Sequence, residues 1–115
     1  MRVARLDEVE KTTAQMEGAQ GVYKQVPLSG EDGAPTFSFR VFTIEPMGHT
    51  PFHQHSFEHM NYVIHGEGVL VADDGQREIR EGDFALVLPG EKHQYKNSSA
   101  DQNLVMICAV PTQYE

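Results

Sequence analysis

Short apolar runs alternate with turn residues along the whole chain. The runs are rich in β-branched and aromatic residues, and several carry polar residues at every second position, which is typical of β-strands. Clusters of Gly, Pro, Asp and Ser separate the runs. The predicted strands have the sequences GVYKQVPL, TFSFRVFTIEP, FHQH, HMNYVIHGEGVLVADD, REIREGD, FALVLPG, KHQYKN and LVMICAV.

Turn residues predict where these strands end. Pro46 is expected to close the second strand, and the following MGHTP to turn the chain. The GEG triplet at 66–68 predicts a bend or bulge inside the long fourth run. DDGQ at 73–76 predicts a hairpin with Asp-Gly at its centre. A short helical turn is expected at 6–9.

Roughly nine to eleven short strands with regularly spaced turns and no long helix indicate an all-β sandwich or barrel. A jelly roll, or double-stranded β-helix, is the first choice. A chain of 115 residues has the size of one domain. We expect residues 21–115 to form a single barrel and residues 1–20 an N-terminal extension, whose part in a dimer contact stays open.

Composition and charge exclude several kinds of partner. The apolar fraction of 39% is ordinary for a globular protein, and the formal net charge is −8. Nucleic acid and anionic membranes need a basic face, so neither is expected as a partner. A single cysteine, Cys108, excludes an intrachain disulfide and favours a reducing compartment. The polar N-terminus resembles no signal peptide, so a cytoplasmic location is expected.

The stretch HQHSFEH, residues 53–59, contains three of the six histidines of the chain. His53 and His55 are two apart, so on a strand their side chains point to one face. His59 shares that parity if the register continues, whereas Glu58 should face away. Crowding three imidazoles on one face is costly unless they bind something in common. The spacing therefore predicts a metal site.

The chain resembles a small single-domain cupin. The first cupin motif matches at Gly48, His53, His55, His59 and Gly66, and the second at Gly82, Pro89, His93 and Asn97. The spacing from Gly48 to His53 is one residue shorter than usual, and His59 replaces the usual glutamate. The resemblance implies a cupin barrel with one metal ion bound by His53, His55, His59 and His93. It also implies a homodimer, with GVYKQVPL as a strand that could pair across the subunit contact.

Four imidazoles suit Mn, Fe, Ni, Cu or Zn, and their number leaves coordination positions open. Because these ligands bring no negative charge, a bound dication keeps its charge, acts as a stronger Lewis acid and attracts anionic ligands. The same electrostatics favour M(II) over M(III). Mn or Fe is the favoured native ion, with Ni, Zn or Cu as the alternatives.

Strand parity suggests further residues of the site. Asn61, Tyr95 and Asn97 are candidates to orient the histidine rings. Cys108 is expected to be a buried, inert thiol, since its neighbours are apolar. His49 and His65 match no ligand position and are expected at the surface. The candidate pocket walls are Phe39 or Arg40 (on alternate faces), Phe84, Leu86, Met106 and Cys108.

Three kinds of function remain open from the sequence. The first is a metal-dependent oxygenase or related oxidoreductase acting on a small organic substrate, because an open M(II) site can activate O2. The second is a module that binds or senses a small anionic ligand without turnover. The third is a metal-dependent isomerase, decarboxylase or lyase. A fold hosts many chemistries, so the resemblance does not choose among them.

Overall fold

Strands dominate the computed structural model, which describes all 115 residues. The only helical elements are three 3-10 turns of three residues each, and no helix is long and apolar enough to cross a membrane. The turns are Leu6–Glu8, Gly30–Asp32 and Thr112–Tyr114. The strands are β1 Thr12–Thr13, β2 Gln20–Leu28, β3 Phe37–His49, β4 His59–His65, β5 Glu67–Ala72, β6 Gly75–Arg80, β7 Phe84–Val87, β8 His93–Lys96 and β9 Leu104–Pro111.

All strand pairs are antiparallel and belong to one curled sheet in the order β6-β5-β8-β3-β9-β4-β7, with β2 and β1 attached beside β3. The long strand β3 holds the two parts of the fold together. It lies between β2 and β9 over most of its length, while its last residue, His49, pairs with Lys96 of β8. This topology confirms the predicted all-β jelly roll.

Alternation along the strands places the core inside the curl of the sheet. In β9 every second residue is buried, beginning at Leu104, as expected for a strand with one inward face. The side chains at these positions interdigitate with those of the strands around them. The buried cluster consists of Val22, Ile44, Val63, Ile79, Tyr95, Leu104 and Met106.

Strand β3 does not end at Pro46 as predicted, but continues to His49. The pairing with β2 moves from Val22 opposite Ile44 to Gln20 opposite His49, so extra residues of β3 bulge out of the ladder. Pro46 lies within this bulge, where its missing N–H is not needed for pairing. The adjacent Met47 has a φ of 64°, which bends the chain at that point.

The predicted strand FHQH does not form. Only an isolated bridge between His53 and His93 links this segment to β8. Pro51 cannot donate to a ladder, and the N–H of Tyr95 donates instead to the Thr50 hydroxyl, 2.9 Å away. The segment is therefore a loop that follows β8 without pairing regularly.

The β5–β6 hairpin forms where DDGQ predicted it, but Asp-Gly is not the central pair. Ala72 pairs with Gly75, so the two loop residues are Asp73 and Asp74. Gly75 itself has a φ of 143° and opens the return strand.

Parts of the first 20 residues contact the barrel. The side-chain amide of Gln25 donates to the carbonyls of Leu6 and Val9, at 2.8 and 3.0 Å. Thr12 and Thr13 pair with the edge of β2, and Met16 packs against the core. Whether this segment or β2 also meets a second copy of the chain stays a prediction.

Two glycines have similar backbone angles but differ in how closely other atoms approach them. Gly66 and Gly82 have φ values of 85° and 97°, but only at Gly66 would a Cβ meet other atoms, the backbone of Asn103 and Leu104. We expect Gly82→Ala to cost about 1–2 kcal/mol from backbone strain alone. Gly66→Ala should cost more than twice as much, measured by urea unfolding. Equal losses of unfolding free energy in the two variants would show that the backbone at Asn103 shifts readily to make room for a Cβ at Gly66.

Candidate metal centre

Four histidines converge from three places in the fold. His53 and His55 lie in the loop between β3 and β4, while His59 and His93 are the first residues of β4 and β8. The backbone N–H groups of His53 and His93 each donate to the other's carbonyl, at 3.1 and 2.9 Å. Main-chain pairing thus sets these two rings side by side, with centroids 5.2 Å apart.

Side chains alternate in direction along residues 53–59 even though the segment is mostly loop. Glu58 is exposed, which is the direction that parity predicted. The inward residues, which line one cavity, are His53, His55, Phe57 and His59. The segment therefore directs imidazole rings, and no carboxylate, into the cavity.

The histidine nitrogens lie close enough together to share one ion. Potential ligand atoms of His53, His55 and His93 all lie within 4.8 Å of one another. His59 lies close to two of these three histidines. Its Nε2 is 3.3 Å from Nε2 of His93, and its ring centroid is 5.0 Å from that of His55. Three histidines thus form a candidate metal site, and His59 as the fourth ligand stays a proposal.

Hydrogen bonds fix the tautomers of three rings. In each, Nδ1 lies beside an oxygen that can only accept, so Nδ1 carries the proton and Nε2 keeps its lone pair. This is how metal-binding histidines are usually oriented. The pairs are His55 with the Phe57 carbonyl at 2.8 Å, His59 with Asn61 Oδ1 at 2.9 Å, and His93 with the Glu91 carbonyl at 2.8 Å.

The chemistry of this donor set fits a cation. With protons on both Nδ1 atoms, the Nε2 atoms of His59 and His93 face each other at 3.3 Å with lone pairs and no proton between them. Two acceptors in contact repel each other, whereas a metal ion between them would bind both. Four neutral nitrogen donors are also the set that divalent Mn, Fe, Ni, Cu and Zn accept.

Burial keeps three of these rings, those of His53, His59 and His93, in the neutral form that a metal requires. Burial lowers the pKa of His59 to about 3, and the neighbouring His93 and His55 add to the effect. Burial likewise lowers the pKa of His53 and of His93. The nitrogens therefore present lone pairs, not protons, at neutral pH.

Asn61 links the His59 ring to the wall of the cavity. Its Oδ1 accepts from His59 Nδ1 and also from the Tyr95 hydroxyl, 2.5 Å away. Asn61 and Tyr95 are 4% exposed each, so bulk water does not compete for either hydrogen bond. Burial, with the nearby Cys108, raises the pKa of Tyr95, so its hydroxyl remains a donor. The sequence-predicted pair Asn61 and Tyr95 is thus placed where it orients one ring.

Asn97 differs from expectation. It is buried, but its side-chain amide donates to the carbonyls of Ile44 and Gln102 at 2.9 and 2.7 Å, and its Oδ1 accepts from the Ser99 N–H. None of these bonds reaches a histidine. Asn97 instead holds the loop after β8 against β3.

The other predicted pocket residues divide by strand face. Arg40, Met106 and Cys108 line the cavity. Phe84 and Leu86 do not, because they point outward from β7 and are 82% and 55% exposed. Their apolar run, FALVLPG, carried no alternation that could have shown which residues face inward.

Phe39, His49 and His65 also lie away from the cavity. Phe39 is 44% exposed, so of the Phe39 and Arg40 alternatives the inward residue is Arg40. His65 is exposed and contacts Gln102, while Nδ1 of His49 lies 3.2 Å from the Thr50 carbonyl.

The cavity holds about 140 Å³ and is mostly apolar. Phe57 is a wall residue that the sequence reasoning missed. It stacks on His55 at 4.1 Å and on Tyr114 at 4.2 Å, and its parity with His55 could have revealed it. Met16 was also missed, and no local pattern marks it, because tertiary packing alone brings the N-terminal segment to the cavity. The remaining missed wall residues are Phe42, Ile44 and Thr50.

Comparison with known families gives one match. Residues 40–110 match the family described as "Cupin domain", which is more than half of the 115-residue chain. A search of curated proteins gives no significant relative.

Several solved structures share the fold over nearly the whole chain. The polyketide cyclase RemF from Streptomyces resistomycificus is 26% identical, with a TM-score of 0.92, over 97% of this chain and 80% of its own. A predicted oxalate decarboxylase from Thermotoga maritima is 24% identical, with a TM-score of 0.82, over 96% and 99%. KdgF from Halomonas sp. is 16% identical, with a TM-score of 0.78, over 96% and 94%. The last two identities support only a shared fold.

Metal affinity should fall in a graded way across three variants. His59→Ala removes a proposed ligand and should weaken Zn²⁺ binding by more than about 100-fold, whereas loss of an orienting partner in Asn61→Ala should cost about 10–100-fold. His65→Ala is the control and should bind like the wild type. Competition with a chromogenic chelator measures all three. Wild-type affinity in His59→Ala would leave a three-histidine site.

The metal-free protein should lose stability on acidification. The folded pKa of His59, about 3, lies below its ordinary 6.5, so the unfolded chain takes up a proton first as the pH falls below 6.5. Between pH 7.5 and pH 5 this one group should lower the free energy of unfolding by about 2 kcal/mol. His59→Gln cannot titrate there and should show a correspondingly weaker pH dependence in urea unfolding. An unchanged slope would contradict the assignment to His59.

Proposed function

The chain belongs to the cupin family, and we propose from that premise that it is a metal-dependent, non-redox enzyme acting on a carbonyl group of a small, largely apolar substrate. The observation that carries this proposal is the position of the histidine nitrogens. They converge in a cavity whose remaining lining is mainly apolar or aromatic, with Arg40, Thr50 and Asn61 as its polar members.

The residues that would hold the ion are His53, His55, His59 and His93, through the lone pairs that their tautomers leave free. A bound divalent ion supplies Lewis-acid polarisation of an oxygen. The chain's own contribution is to fix the rings, as Asn61 and Tyr95 do for His59, and to surround them with largely apolar walls. Such walls strengthen electrostatic contacts inside the cavity, because they lower the local dielectric constant.

The cavity walls favour an apolar substrate over a sugar. A sugar needs many donors and acceptors, but the polar wall groups are few. The Asn61 oxygen is already bonded to His59 and Tyr95, and the Thr50 hydroxyl to the Tyr95 N–H. Phe57 instead offers a flat aromatic face beside His55. Such walls suit a planar, unsaturated oxo compound.

Similarity to the polyketide cyclase RemF supports the same class of reaction. Ring closure of an oxo compound requires an activated carbonyl and a shielded cavity, and needs no external oxidant. The cavity lacks a carboxylate that could act as a base, and burial keeps Tyr95 and Cys108 protonated. These features favour chemistry driven by polarisation of the substrate.

A metal-dependent oxygenase is the second candidate, and it is the function that the sequence favoured first. Four neutral ligands favour M(II) and leave positions open, which suits O2 chemistry as well. The two candidates differ in which metal they require. Carbonyl polarisation works with redox-inert Zn²⁺, whereas oxygenation needs a redox-active ion and consumes O2.

One experiment separates these candidates. We expect the Zn²⁺-loaded protein, under nitrogen, to accelerate exchange of the α-protons of an aryl methyl ketone in D2O at least about 10-fold over the metal-free protein, a modest share of what Lewis-acid catalysis can give. NMR follows the exchange. His53→Ala should lose the acceleration, while His65→Ala should keep it. Exchange that never depends on metal, together with O2 uptake by the Fe²⁺-loaded protein, would favour the oxygenase.

A further inference from the structure

Arg40 lies in the same cavity as the histidines and has no role in holding them. It projects from the inward face of β3, directly opposite Cys108 of β9, which is in turn opposite Asn61 of β4. The three side chains form a row across neighbouring strands. Because Asn61 holds His59, this row joins the guanidinium to the histidine cluster.

The guanidinium of Arg40 has no anionic partner. The only ion pair in the chain joins Arg2 to Asp32, at 3.0 Å, and does not involve Arg40. Arg40 Nη2 donates to the Cys108 sulfur at 3.1 Å, and the guanidinium carbon Cζ lies 5.1 Å from the centre of the Phe42 ring. Its Nε is buried and has no acceptor anywhere in the chain. A partly buried cation without an anion is an unusual and costly arrangement.

The unsatisfied Nε and the weakly bonded Nη2 lie on one edge of the guanidinium. Nε and Nη2 share the edge that binds a carboxylate side-on through two parallel hydrogen bonds. In Arg40 that edge faces Cys108, and sulfur is a weak acceptor. Burial raises the pKa of Cys108, so the thiol is neutral and cannot balance the charge.

The positive charge of Arg40 is felt across the cavity. Burial is the largest cause of the lowered pKa of both His59 and Lys24. The charge of Arg40 lowers each of these pKa values further. No carboxylate is among the cavity walls. The interior is therefore electropositive, although the chain as a whole carries a net charge of −8.

We propose that Arg40 is a specificity-determining residue that anchors a carboxylate of the substrate, through Nε and Nη2, across the cavity from the histidines. The inference rests on the proposed function, because it assigns the substrate of that site as a planar oxo acid whose body is apolar apart from its carbonyl and carboxylate groups. The carboxylate replaces the weak thiol contact, while the apolar part of the substrate lies against the aromatic walls. Its carbonyl then points toward the histidine nitrogens.

Binding of two probes of equal shape tests this role in the metal-free protein, where no ion can attract the anion. Benzoate and benzamide differ in charge and little in size. We expect calorimetry to show that the wild type binds benzoate at least about 10-fold more tightly than benzamide, as one charge-assisted bidentate pair allows. Arg40→Met should abolish this preference. Arg40→Lys should keep part of it, because the charge remains and the side-on edge is lost.

Controls separate this role from folding and from the metal site. Arg77→Met, at an exposed position of β6, should retain the full preference for benzoate. Zn²⁺ affinity should not fall in Arg40→Met, because the variant loses a positive charge and no ligand, and retained affinity shows that the barrel and the histidines are intact. A preference for benzoate that persists in Arg40→Met overturns the assignment, as does a wild type that prefers neither probe or binds neither. If the Zn²⁺-loaded wild type did not accelerate ketone exchange but the wild type still preferred benzoate, only the proposed reaction would be refuted.

Discussion

The contact between imidazole nitrogens with free lone pairs is the interaction on which the site of this molecule depends. Hydrogen bonds to Nδ1 leave the Nε2 atoms of His59 and His93 facing each other at 3.3 Å without a proton between them. Such a contact is unfavourable by itself and becomes favourable only around a cation. Burial reinforces the constraint, because it makes protonation an expensive way to relieve the repulsion.

The barrel maintains this contact through ordinary strand geometry. The His53–His93 bridge places the loop beside β8, and the start of β4 brings His59 to the same point. Asn61, two residues further along the same face, fixes the ring and is itself held by Tyr95. The same inward faces continue into the buried core, so the site has a rigid apolar floor. Arg40 adds a positive group to this cavity and gives it a polarity along which a substrate could align.

Period-two alternation made much of the fold and site predictable from sequence. It placed the histidines of 53–59 inward and Glu58 outward, and this held even though FHQH is a loop. It failed where the pattern carried no alternation, as for Phe84, and where a bulge let β3 pass Pro46. Asn97 had a suitable position along the chain, but its amide is consumed by backbone carbonyls that only the folded loop reveals. Contacts made by distant segments, such as that of Met16, leave no local signal.

We propose that one ion is bound by four imidazoles and by no carboxylate. X-ray absorption spectroscopy of the Zn²⁺-loaded protein in solution tests it most directly, since multiple scattering from imidazole rings gives their number. The account predicts four imidazole nitrogens at about 2.0–2.1 Å, with any further ligand coming from solvent. A fit that requires three imidazoles or fewer, or a carboxylate from the chain, would contradict it.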